Sequence, residues 1–103
     1  LGFSGTGTRI GILDGWFRTD HFSVRSNPAL GVRDFVDQDF TVDPGFEDPG
    51  DAGSHGTGLW SLIGGDWPGV LVGAAPGASV LLSRVRLEAD STAVDEDLWV
   101  ARL

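Results

Sequence analysis

Ser54-His55-Gly56-Thr57-Gly58-Leu59-Trp60-Ser61-Leu62-Ile63-Gly64-Gly65 is the stretch whose reading decides the rest of the chain. It opens on a serine suited to an N-cap, passes through a histidine and small residues into apolar ones, and stops at paired glycines with Pro68 just beyond. The pattern predicts a helix. Leu59, Leu62 and Ile63 share a helical face with His55, so the spacing predicts that this face is buried and that His55 stands at the rim of a core. In a first turn the imidazole meets the positive end of the helix dipole, which disfavours imidazolium and keeps the ring available as a base. A base needs an orienting partner.

Towards the amino terminus, Gly2, Gly5 and Gly7 form a flexible lead-in to Thr8-Arg9-Ile10-Gly11-Ile12-Leu13. Residues 8–13 read as a buried parallel strand with Asp14 at its carboxyl end and Gly15 breaking it. In open α/β sheets chemistry collects beyond the carboxyl ends of strands, which makes Asp14 a candidate functional acid. The glycines precede this strand, whereas a dinucleotide fingerprint places them after it, so that reading is excluded.

Residues 16–31 form a loop or short irregular helix anchored by Trp16, Phe17 and Phe22, and Val32–Val36 is a second short strand. Asp37, Asp39, Asp43, Glu47, Asp48 and Asp51 then stand among Pro44, Gly45, Pro49 and Gly50 in a surface loop. A solvated acidic connector is one reading of it; a calcium site, which wants oxygen ligands at short spacings, is the other. No metal or cofactor is expected from any clear motif.

After the His55 helix, Val70–Ala78 is an apolar connector, Ser79–Val85 a buried strand, and Asp95-Glu96-Asp97 opens a second helix matched to its dipole. Strand, strand, helix, strand, helix is an α/β pattern with a mostly parallel sheet. A length of 103 residues suits one domain over residues 1–103, able to bury roughly 65% of its unfolded surface. The chain starts at Leu1 and stops at Leu103 within a helical pattern, so a piece of a longer protein is expected.

Composition narrows the function classes. A formal net charge of −8, with all seven basic residues arginine and scattered, is unsuited to nucleic acid, whose phosphates demand basic surface. No apolar run is long enough to span a membrane. With no cysteine, disulfides, thiolate metal sites and a cysteine nucleophile are excluded. Oligomeric state is not readable.

Asp14 and His55 are the candidate catalytic residues. An aspartate at a strand end can accept the Nδ1 proton of a histidine, fix its tautomer and stabilise the imidazolium formed during proton transfer. Gly56 and Thr57 add little bulk beside the ring, which would leave room for a nucleophile and substrate.

The words around these two residues resemble a known family. Gly5-Thr6-Gly7-Thr8-Arg9-Ile10-Gly11-Ile12-Leu13-Asp14 looks like the first catalytic block of subtilisin-like serine peptidases (subtilases), which ends in the triad aspartate. Asp20-His21 is similar to the family's His-Pro segment, Ser54-His55-Gly56-Thr57 to its His-Gly-Thr block, and Val72–Ala78 to its Gly-Val-Ala-Pro connector. Blocks in this order cover nearly the whole chain. The resemblance implies the amino-terminal part of a three-layer, subtilisin-like catalytic domain with Asp14 as orienting acid and His55 as general base. It also implies a peptide or protein substrate, an acyl-enzyme route and export from the cytoplasm.

The family's nucleophilic serine, in a Gly-Thr-Ser block, and its oxyanion asparagine come later; no Gly-Thr-Ser occurs in this chain. These residues alone are expected to be inactive. Two departures stand out. Gly15-Trp16 replaces the usual Ser/Thr-Gly after the aspartate, and Gly58 stands where a second histidine is common. A tryptophan in that turn could rotate Asp14 away from His55, which keeps a degenerate, non-proteolytic binding domain open. A phosphohydrolase with Asp14 as nucleophile is a further alternative, although the position two beyond Asp14 is Trp16 rather than a second acid. His21 reads as structural.

Overall fold

The computed structural model describes residues 3–45, 53–85 and 100. They form an α/β structure built on a three-stranded, all-parallel sheet. Strand β1 runs over Arg9–Asp14, β2 over Gly31–Asp34 and β5 over Ser79–Arg84, in the spatial order β1-β5-β2. The expected strands are thus present, and the last in sequence is the central one. Its partners pair in register, so that Asp14 and Asp34 both stand opposite Arg84 at the carboxyl edge. Val36, expected in the second strand, lies outside it because the chain turns at Asp34, whose side chain accepts the backbone N–H groups of Val36 and Asp37 at 2.8 and 3.1 Å.

Helix α1 spans Ser54–Gly64. Ser54 is not its N-cap, contrary to the sequence expectation: Gly53 is, in a left-handed conformation with φ 88°, and no side chain caps the end. A Cβ at Gly53 would lie 3.2 Å from the Arg18 Cγ and 3.3 Å from its backbone nitrogen, so both the conformation and the space favour glycine. Gly65 closes the helix, its N–H donating to the Ser61 carbonyl at 3.0 Å.

The buried face of α1 also differs from the expectation. Gly56, Thr57, Trp60, Ser61 and Gly64 are buried, whereas Leu62 is 64% exposed and Leu59 lies at the surface. Of the apolar stripe that the spacing picks out, Ile63 alone packs against the core. Small residues let the helix backbone approach its neighbours closely: a Cβ on Gly64 would come within 3.1 Å of the Val80 side chain on β5. Trp60 then fills the interior with Ile12, Phe17, Val24, Val42, Val80 and Leu82.

The connector after α1 holds a hairpin that the sequence reading missed. Strands β3 (Asp66–Trp67) and β4 (Leu71–Val72) pair antiparallel around Pro68-Gly69, with Gly69 at φ 80°. Of the acidic loop, Glu47, Asp48 and Asp51 lie outside the described residues, as does the expected second helix apart from Val100, which is helical. No helix among the described residues is long and apolar enough to cross a membrane.

The segment after β1 is braced by residues 42–45. Phe17 N–H donates to the Val42 carbonyl at 2.8 Å, and Arg18 reaches the Gly45 carbonyl at 2.7 Å. Asp43 accepts the Thr19 N–H and hydroxyl at 2.8 and 3.0 Å, and the Gly45 N–H at 2.9 Å. Burial alone would raise the Asp43 pKa, but the bonds from Gly45 and Thr19, aided by the Arg18 charge, outweigh it and hold the carboxyl below its ordinary value. A folded-state pKa below the unfolded one means that the stabilisation is complete above the unfolded value and is lost as pH falls through the folded one. Asp43→Asn should therefore lose less melting temperature than the wild type below about pH 4, as followed by circular dichroism. Parallel acid limbs would show that the charge of Asp43 contributes nothing.

Candidate active site

Asp14 ends β1 on the carboxyl edge of the sheet, and its carbonyl accepts the Val85 N–H at 2.8 Å. One carboxylate oxygen, Oδ1, accepts the Gly15 N–H at 2.6 Å; the other, Oδ2, lies 2.6 Å from His55 Nδ1. The two candidate residues are thus in direct contact. The Asp14 side chain is 9% exposed and that of His55 72% exposed. His55 is therefore not at the rim of a buried helical face, as its spacing from Leu59 and Leu62 predicts, but on the open side of α1. With an ionised carboxylate as acceptor, Nδ1 carries the shared proton, and in the neutral ring Nε2 is then the acceptor. That is the tautomer a general base needs.

The turn between them explains the contact. Residues 16–18 dock on the first turn of α1, where a Cβ on Gly56 would fall 2.5 Å from the Trp16 carbonyl oxygen and 2.9 Å from the Phe17 ring. Arg18 N–H donates to the Thr57 hydroxyl at 2.7 Å. Gly56 and Thr57 are both buried, and their small size lets the turn dock on the helix. Trp16 does not rotate Asp14 away from His55. Its indole turns towards β5, where the Arg84 Cζ stands 3.5 Å from a ring centroid.

Arg84 is 5% exposed, and its Nη1 donates to Asp34 Oδ2 and Asp37 Oδ2, each at 2.9 Å. Asp34 is wholly buried, so removing the guanidinium would strand a buried carboxylate, a loss of about 3–5 kcal/mol. Nothing in the sequence reading singled out Arg84. Its one signal was a charged residue inside the apolar run Ser79–Val85. Asp34, Asp37 and Asp39 bring one carboxylate oxygen each within 4.8 Å, a spacing a cation can use, although the Arg84 guanidinium already pairs with two of them.

His21 is engaged elsewhere: its Nδ1 lies 2.7 Å from the Ser23 hydroxyl, which lies 2.5 Å from that of Ser61 on α1. Ser61 in turn donates to the Thr57 carbonyl at 2.7 Å. Comparison with protein-family models and with curated proteins finds no match.

The two helical glycines beside His55 make a paired prediction. Gly56→Ala forces a methyl group into the Trp16 carbonyl and should destabilise by about 1–3 kcal/mol. Gly58→Ala meets nothing within 4 Å and should stabilise by about 0.5–1 kcal/mol, because alanine is the better helix former. Urea denaturation of the two variants gives both signs. Equal effects would show that the turn does not dock on α1 in this way.

Proposed function

We propose that Asp14 and His55 are the acid–base pair of a subtilisin-like serine peptidase site, the chain being the amino-terminal part of its catalytic domain in a three-layer α/β fold. The observation that carries this reading is the 2.6 Å contact between Asp14 Oδ2 and His55 Nδ1 at the carboxyl end of a parallel strand. The sequence blocks that frame the two residues support it. On this reading Asp14 holds Nδ1–H, and His55 Nε2 takes the proton of a serine hydroxyl supplied from outside these 103 residues. The hydroxyl oxygen bonds to the scissile carbonyl carbon, and the tetrahedral intermediate collapses as Nε2–H protonates the leaving amine. Water then repeats the cycle on the acyl-enzyme and restores the serine. The substrate is a peptide or protein, and the setting is extracytoplasmic.

The test is fluorophosphonate labelling of the full-length protein. The wild type should label on a serine, and His55→Ala should abolish labelling. Asp14→Asn should slow peptide hydrolysis by about 10⁴-fold, the loss typical of removing the orienting acid from such a triad. Failure of the wild type to label, or labelling as fast in His55→Ala as in the wild type, would sink the reading in favour of a non-proteolytic binding domain.

A further inference from the structure

We infer that Arg84 is a positioning residue for the Asp14–His55 pair, acting through the indole of Trp16. Arg84 stands opposite Asp14 in the sheet register, yet its guanidinium does not pair with that carboxylate. It is fixed instead from the far side, with Nη1 held at 2.9 Å by both Asp34 and Asp37. Asp34 is itself immobilised, because its other oxygen accepts the Val36 and Asp37 N–H groups. The guanidinium is therefore buried and anchored through Nη1, and it lies over the Trp16 ring with 3.5 Å between Cζ and a ring centroid.

Trp16 is held at both ends. Its ring lies on Arg84, and its carbonyl abuts Gly56, the residue after His55. Gly15, the single residue between Asp14 and Trp16, carries the N–H that donates to Asp14 Oδ1 at 2.6 Å. A shift of the indole would thus move the donor that orients the carboxylate and the surface that seats the first turn of α1. The 2.6 Å spacing between Oδ2 and Nδ1 depends on both. A mere partner for buried Asp34 would need only a positive charge. A stacking plane needs the flat, delocalised guanidinium, which a lysine cannot supply.

The geometric coupling stands on these contacts alone; only its catalytic consequence rests on the peptidase reading. The experiment uses the full-length protein carrying nitrogen-15-labelled histidine, with His55 assigned by its loss in His55→Gln. In the wild type the ring nitrogens of His55 should report the Nδ1–H tautomer. Arg84→Lys keeps the charge beside Asp34 and Asp37 but loses the plane; Trp16→Leu keeps Arg84 and its ion pairs but loses the ring. Both should shift His55 towards the Nε2–H tautomer, in the direction expected of Asp14→Asn, whereas Trp16→Phe should retain the wild-type pattern.

Peptide hydrolysis by Arg84→Lys and Trp16→Leu should fall about 10- to 100-fold in kcat with KM little changed. Trp16 lies at a half-buried surface position, so Trp16→Leu decides the matter if Arg84→Lys fails to fold. Folded Trp16→Leu with the His55 tautomer of the wild type would overturn the inference. A tautomer shift in a protein that never labels with fluorophosphonate would uphold the positioning role and sink the peptidase reading alone.

Discussion

Everything at the candidate site depends on the hydrogen bonding of β5 between two parallel neighbours. A strand paired on both sides fixes the level of the strands beside it, and here that level sets Asp14, Arg84 and Asp34 in one row at the carboxyl edge. A slip of one residue would exchange the two faces of a strand and carry each of these side chains away from its partner. The backbone continues the same alignment beyond the strands, since Val85 N–H binds the Asp14 carbonyl and Phe35 N–H binds that of Arg84. The row is thus a consequence of ladder geometry before any side chain acts.

Close packing supplies the second constraint. Helix α1 meets the turn after β1 through Gly56 and Thr57, and meets β5 through Gly64, while Trp60 occupies the space that these small residues leave in the core. The larger apolar side chains Leu59 and Leu62 face outward as a result. Burial of this helix follows the fit of its small residues. The outward face includes His55, whose open position suits a proton-transfer group better than a core histidine would.

The proposed chemistry uses these constraints economically. A carboxylate pinned by Gly15 N–H offers one oxygen to the imidazole, and the ring is left with Nε2 in its basic form. Trp16 adds a bulky side chain to the turn without parting Asp14 from His55. Its ring has a seat on a guanidinium that β2 and its following loop hold in place.

Much of the fold was legible in the sequence because it is written in local pattern. Apolar runs broken by glycine mark β1 and β5, and the limits of α1 follow from its small residues and its terminal glycines. Asp14 and His55 were legible because a strand end and a helix start are places where chemistry gathers, and because their flanking words resemble a family. Three-dimensional packing decided the rest. The buried face of α1, the hairpin of β3 and β4, and the stacking of Trp16 on Arg84 each depend on residues distant in the chain. Which stripe of a helix is buried depends on the surface it meets, and a charged residue in an apolar strand shows its partner only once β2 lies beside β5. Local periodicity carries neither piece of information, so the sequence by itself determined β1, β2, β5, α1 and the candidate pair Asp14 and His55, while tertiary structure decided the hairpin, the buried face of α1 and the partners of Arg84.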